Sequence, residues 1–224
     1  MRTPLIIFGT GDLAQLANYY FSIDSNFEVV AFTVDKAYMH ETAFEGKPLI
    51  AFEDVEKEYD PKKFQMFVAI GYAQLNKLRT LKCTQAKSKG YNLVSYISSK
   101  CSYLSQFPCG ENCFILEDST VQPFVRIGDN VTLWSGSHVG HHSTIESNNF
   151  IAPHAAISGH CVIKPNCFIG LNSTIGNGVT IAKENLIGAG SVVTKNTLDE
   201  AVIVPARSTL LNKKSSEIKL SNND

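Results

Sequence analysis

The chain reads as an α/β protein in two parts, a Rossmann-like half domain followed by a parallel β-solenoid of hexapeptide repeats. Two observations predict this. From position 115 to position 193 an aliphatic residue stands at every sixth place, beginning Ile115, Val121, Ile127, Leu133, Val139 and ending Ile181, Ile187, Val193. Ahead of that array, the apolar run Leu5-Ile6-Ile7-Phe8 feeds directly into Gly9-Thr10-Gly11-Asp12 and a helix-like stretch over 15–21. That order is the strand, glycine turn and helix start of a nucleotide-binding unit.

The continuous apolar character of 5–8 marks a strand buried on both faces. A second strand is predicted over 28–33, ending at Val34-Asp35, and a third over 65–70, ending at Gly71-Tyr72, with a helical pattern over 51–59 between them. The β-α-β-α-β order is half of a doubly wound fold, which places ligands at the carboxyl ends of its strands. Gly9, Thr10 and Gly11 bring backbone N–H groups and a helix start to one point, a disposition that favours phosphate. Asp12 either belongs to that site or caps the helix. Asp35 and Lys36 follow the second strand, where an acid hydrogen-bonds a ribose or base edge, and Gly71 follows the third. About a hundred residues leave room for one mononucleotide-binding half, so a nucleotide carried on a substrate fits better than NAD-linked redox chemistry.

The segment 96–110 loses the helix-strand rhythm before the full repeat begins, so the boundary is drawn as 1–100 and 101–211, with a first coil starting near Ile97 and a polar tail over 212–224. A spacing of six fits neither a helix, with apolar positions three and four apart, nor an ordinary strand of period two. Each hexapeptide supplies one short strand and one turn, three close a triangular coil of about 18 residues, and coils stack at sheet spacing. The aliphatic residues point inward. Small residues two places earlier, including Ser119, Ser137, Ser143, Ala155, Cys161, Cys167, Ser173 and Ser191, leave them room. Residues 18 apart become neighbours along the stack. In the tail, Ile218 and Leu220 are candidates for contact with a neighbour.

Composition narrows the function. The 224 residues carry 44% hydrophobic residues and a formal charge of -1, with no sustained basic stretch, which excludes nucleic acid as a partner. Six cysteines include no CxxC pair and read as free thiols, so a reducing cytoplasm is expected, and no segment has the length of a bilayer span.

The combination of Gly9-Thr10-Gly11 with Asp35, Ala69-Ile70-Gly71, Val139-Gly140-His141-His142, Ile151-Ala152-Pro153, Ile157-Ser158-Gly159, Ile187-Gly188-Ala189-Gly190 and Val204-Pro205-Ala206-Arg207 resembles the NeuD-like sugar acyltransferases. That family includes sialic acid O-acetyltransferases and N-acetyltransferases of nucleotide-linked 4-amino sugars. The resemblance implies a left-handed β-helix, a homotrimer with active sites between subunits, a nucleotide-sugar held by the N-terminal part, acetyl-CoA in the groove between solenoids, and direct acetyl transfer without metal. By it His141 is the general base, the Gly159 amide faces the thioester carbonyl, Leu171 and Ala189 line the coenzyme groove, and Arg207 meets coenzyme phosphates. Lys213 and Lys214 read either as further phosphate contacts or as a solvated cluster.

Direct acyl transfer needs a base for the attacking group and donors for the developing oxyanion. Where the family often has an acid beside the base, this chain has His142, and Phe150 stands where many members have a second histidine; Glu146 is a candidate replacement partner. A weakly oriented base suits an amine better than a hydroxyl. The expectation is therefore N-acetylation of a nucleotide-linked amino sugar for surface glycan synthesis, with sugar O-acetylation as the alternative. A metal hydratase resembling the γ-class carbonic anhydrases would need two histidines five residues apart, and no such pair exists. A non-catalytic scaffold is the remaining class.

Overall fold

The computed structural model describes residues 2–218. Its N-terminal half is a five-stranded sheet built from β1 (Thr3–Phe8), β2 (Phe27–Val34), β3 (Ala43–Phe44), β4 (Lys47–Ala51) and β5 (Gln65–Val68), in the order β3-β4-β2-β1-β5. All pairs are parallel except the β3/β4 hairpin. β1 lies at the centre of the parallel part, with helix α1 (Asp12–Ile23) following it, and Leu5, Ile6 and Ile7 are wholly buried as their unbroken apolar run requires.

Two features differ from the sequence reading. The helix expected over 51–59 shrinks to the single turn α2 (Val55–Glu58), and the chain ahead of it makes the β3/β4 hairpin around Glu45 and Gly46, both at positive φ. A full helix, α3 (Lys77–Ser88), was not expected. Its buried face consists of Arg79, Lys82, Cys83 and Ala86, so its sequence shows no apolar stripe.

The solenoid follows the predicted register. Two-residue strands stack in parallel at intervals of 18, as in His138↔Ala156 and Val139↔Ile157, forming faces of four, seven and six strands. The inward aliphatic residues, among them Ile115, Val139, Ile157 and Ile187, are fully buried in one continuous core. Each contributes about 1.5–3 kcal/mol by leaving water. The small residues ahead of them also satisfy backbone groups: Ser143 Oγ donates to the Ser158 carbonyl and accepts from the Cys161 N–H, each at 3.0 Å. The first coil begins at Tyr96–Ile97, which pairs with Phe114–Ile115, and Ser102–Tyr103 opens the six-stranded face.

A second comb of period six runs through the corners. Asn112, Asp118, Phe124, Asn130, Gly136, His142, Asn148, His154, His160, Asn166, Asn172, Gly178, Glu184 and Gly190 all have φ between 51° and 72°. This left-handed region suits Gly and, among side chains, Asn, Asp and His, which accounts for most of those residue types.

The N-terminal half docks on the seven-stranded face and one of its edges. Phe114, Phe150 and Phe168 stand in register on that face, with Phe114 joining Phe21, Phe67 and Tyr96 in the core of the N-terminal half. At the edge, an asparagine ladder receives Arg79, only 2% exposed. Its Nε donates to Asn130 Oδ1 (2.8 Å), Nη2 to the Asn130 and Asn149 carbonyls, and Nη1 to the Ile70 and Gly71 carbonyls. Burial lowers this guanidinium to about 10, which leaves it charged at neutral pH. Asp24, after α1, accepts from the Tyr96 hydroxyl and the Ser99 N–H, both at 2.8 Å. No helix among the described residues is long and apolar enough to cross a membrane. All six cysteines are free, as expected. Ile218 is partly exposed, while Leu220 and the rest of the tail from 219 lie outside the described residues.

Candidate active site

The corner between the six-stranded and four-stranded faces carries His141, and the next coil sets Gly159 against it. A β-carbon on Gly159 would stand 2.8 Å from His141 Cε1 and 2.9 Å from Nε2, so the close approach depends on glycine. Gly140 is constrained in the same way, since its β-carbon would lie 2.5 Å from the Gly159 nitrogen. The His141 N–H donates to Gln122 Oε1 at 2.8 Å, which fixes the base of the side chain. Its Nδ1 lies 3.1 Å from His142 Nδ1, and among the described residues Nε2 has no hydrogen-bond partner. The His142 ring faces Phe124 at 4.6 Å on one side and His160 at 5.0 Å on the other, one register step apart each time.

Glu146 does not replace the missing acid. It accepts from Lys164 Nζ at 2.7 Å on the four-stranded face, leaving His142 as the hydrogen-bonding neighbour of the His141 ring. Phe150 is also remote from this corner. It is buried on the seven-stranded face, stacked on Phe168 at 5.7 Å and touching Tyr72 and Trp134, so it makes an apolar contact to the N-terminal half.

The predicted nucleotide-binding residues mostly converge. Gly9, Thr10, Gly11 and Asp35 line a cleft of about 480 Å³ together with Tyr38, Leu78, Leu81 and Lys82. Gly11, Asp12 and Gly71 line an adjoining cleft of about 500 Å³ against Tyr72, Trp134 and Phe150. Gly9 has φ +127° and its α-carbon packs against the Ala69 carbonyl, a place open only to glycine. Gly11 is the N-cap of α1, whose side chains make no cap bond, so Asp12 opens the helix without capping it. Lys36 stands apart from the cleft wall, its N–H donating to Glu53. Sequence reasoning missed Lys82, whose Nζ bonds Asp35 at 2.6 Å and lies 5.5 Å from the Phe8 and Phe52 rings. Its only signal is a cation on a helix that sequence patterning did not reveal.

Leu171 and Ala189 are one register step apart and exposed, and they occupy the corner between the seven- and six-stranded faces, not the corner of His141. Directly above Gly159 is Asn177, which the sequence reading did not name; the neighbouring Gly178 donates to the Gly159 carbonyl. Arg207 is exposed, beyond the last solenoid strand Val202–Ile203.

In a triangular prism the corner between two faces lies opposite the third. The N-terminal half covers the seven-stranded face, so a single chain holds the cleft at Gly9, Thr10, Gly11 and Asp35 and His141 on opposite sides of the solenoid.

Residues 109–141, 124–159 and 160–195 match the family model described as bacterial transferase hexapeptide (six repeats). The matched residues are the hexapeptide coils of the solenoid. No curated protein matches the chain by sequence. Among solved structures, the acetyltransferase domain of PglB from Neisseria gonorrhoeae FA1090 is 20% identical with a TM-score of 0.79, over 90% of this chain and 96% of that one. PerB from Caulobacter crescentus, solved with CoA and GDP-perosamine, is 23% identical with a TM-score of 0.78, over 91% and 96%. WeeI from Acinetobacter baumannii AYE is 21% identical with a TM-score of 0.63, over 91% and 98%. The hexapeptide array and its N-terminal α/β half thus share the two-part, left-handed β-helical fold of these proteins, as the resemblance to the NeuD-like acyltransferases implied.

Proposed function

We propose that the protein is an acetyl-CoA-dependent N-acetyltransferase acting on the amino group of a nucleotide-linked amino sugar, with His141 as general base. The observation that carries this reading is the contact of the His141 imidazole with Gly159 on a hexapeptide corner. It is supported by likeness of fold to proteins whose crystals hold acetyl coenzyme A, or CoA with GDP-perosamine.

In this mechanism the sugar amine attacks the thioester carbonyl, forming the N–C bond. His141 Nε2 takes the amine proton, and the tetrahedral intermediate collapses with loss of the C–S bond, the thiolate recovering a proton. The Gly159 N–H, which has no protein acceptor among the described residues, stabilises the oxyanion. His142 Nδ1 accepts from His141 Nδ1–H, so His141 presents its Nε2 lone pair. A neutral imidazole replaces a carboxylate in this role and stabilises an imidazolium less, which suits an amine acceptor. The cleft at Gly9, Thr10, Gly11 and Asp35 takes the nucleotide, with the α1 N-terminus favouring its phosphates.

Because the cleft and His141 face opposite ways in one chain, the complete site needs a second copy, and three solenoids packed around an axis provide three such sites. The coenzyme lies between solenoids, within reach of Gly159 on one and of Leu171, Ala189 and Arg207 on its neighbour. Free cysteines fit a cytoplasmic place for the reaction.

Purified protein given acetyl-CoA and a panel of UDP-, dTDP-, GDP- and CMP-linked amino sugars should release CoA and yield the N-acetylated sugar. Turnover restricted to hydroxyl acceptors would overturn this in favour of sugar O-acetylation.

A further inference from the structure

His141, His142 and His160 each offer a ring nitrogen, and these atoms all lie within 4.8 Å of one another. The 18-residue register stacks His142 on His160, and the adjacent His141 completes the cluster. We propose that these three imidazoles bind a first-row divalent transition-metal ion, and that occupancy switches the acetyl-transfer site off.

The spacing, exposure and donor type of the corner support binding. The His141 and His142 Nδ1 atoms are 3.1 Å apart, close to the roughly 3.3 Å that separates two nitrogens on a tetrahedral ion with bonds of about 2.0–2.1 Å. The repeat itself brings the other pair together: His142 and His160 occupy equivalent left-handed corner positions, at φ 59° and 57°, where their rings stack within 12° of parallel, so one ring turns about its Cβ–Cγ bond to share an ion with the other. The His141 ring stands nearly perpendicular to both, at 87° and 88°, so it meets the stacked pair edge-on. All three residues are exposed, which gives an ion access and leaves a fourth position for water. Neutral imidazoles without a carboxylate select zinc, copper or nickel over magnesium or calcium.

The consequence for activity rests on the proposed role of His141; the binding does not. A neutral imidazole that gives its Nδ1 lone pair to a metal carries its proton on Nε2, so His141 coordinated through Nδ1 has no Nε2 lone pair for the acceptor's proton, and metal occupancy and base catalysis exclude each other. This differs from a metal hydratase shared between subunits, since one chain supplies every ligand.

The test uses the full chain stripped with a chelator and titrated with Zn²⁺ by calorimetry, with Co²⁺ absorption reporting coordination geometry. One ion per chain and a tetrahedral Co²⁺ spectrum are expected. His160→Asn is the informative variant, because Asn130, Asn148, Asn166 and Asn172 already occupy the same kind of corner; it should weaken Zn²⁺ binding at least tenfold. His154→Asn, at an equivalent corner outside the cluster, should leave it unchanged. In the acetyltransferase assay Zn²⁺ should stop turnover reversibly, with His160→Asn needing at least tenfold more metal, each protein being compared with its own metal-free rate. Absence of binding, or equal binding by His160→Asn and wild type, overturns the site. Normal binding with unchanged turnover overturns the switch, and metal-free protein that acetylates nothing overturns the enzyme reading while calorimetry still reports on the site.

Discussion

The His141 imidazole lies across the α-carbon of Gly159, one coil further on, so closely that a β-carbon there would come within 2.8 Å of Cε1. Gly159→Ala therefore displaces the base while leaving the solenoid core untouched. Turnover should fall by about a hundredfold, the cost of a misplacement of about 1 Å, with little change in melting temperature. An unchanged kcat would show that the contact has no catalytic meaning.

Arg79 binds the N-terminal half to the solenoid through carbonyls and asparagine side chains, with no carboxylate among its hydrogen-bond partners. Arg79→Met removes the donors and strands several buried acceptors. Denaturant unfolding should show a loss of about 3 kcal/mol or more. Arg79→Lys should recover little, since an ammonium cannot reproduce the planar fork.

Asp24 sets an acid limit on the docking of α1 against the first coil. The Ser99 N–H lowers its carboxyl below the ordinary range; burial opposes this, and the Ser99, Tyr96 and Ser98 hydroxyls reinforce it. A carboxyl held low in the fold takes up its proton at lower pH than it does in the unfolded chain. Its stabilisation is therefore present above about pH 4 and disappears as pH falls through the folded value. Asp24→Asn should lower the melting temperature at pH 7, and the gap to wild type should close in acid. A gap that is constant with pH would exclude this linkage.

Two inactive variants should rescue each other. Gly11 has open space where its β-carbon would lie, so Gly11→Phe fills the nucleotide cleft without disturbing the fold, while His141→Ala removes the base. If one copy's cleft serves another copy's histidine, co-expressed mixed oligomers regain part of the activity that each variant lacks. Mixed oligomers as inactive as their parents would place the complete site within one chain.

The solenoid was legible because every coil repeats the same steric demand, so Ile115, Val139, Ile157 and their equivalents carry the register on their own. The pairing of His141 with Gly159 followed from that register alone. The corner comb was not read, although Asn130, His142 and His160 belong to it, because a left-handed φ is met by several residue types and leaves a diffuse pattern. Helix α3 was invisible for a different reason: Arg79 and Lys82 are buried by hydrogen bonds to partners that lie far away in sequence, which no local periodicity records. The opposition of the cleft to His141 depends on which face the N-terminal half covers, and aromatic residues such as Phe150 announce burial without naming the partner.

The most direct measurement is the single-turnover rate of acetyl transfer from acetyl-CoA to a nucleotide-linked amino sugar by wild-type protein and by His141→Ala. Transfer by the wild type and a rate at least about a hundredfold lower in the variant, with binding of both substrates retained, is the predicted result. Equal rates would contradict the assignment of the base.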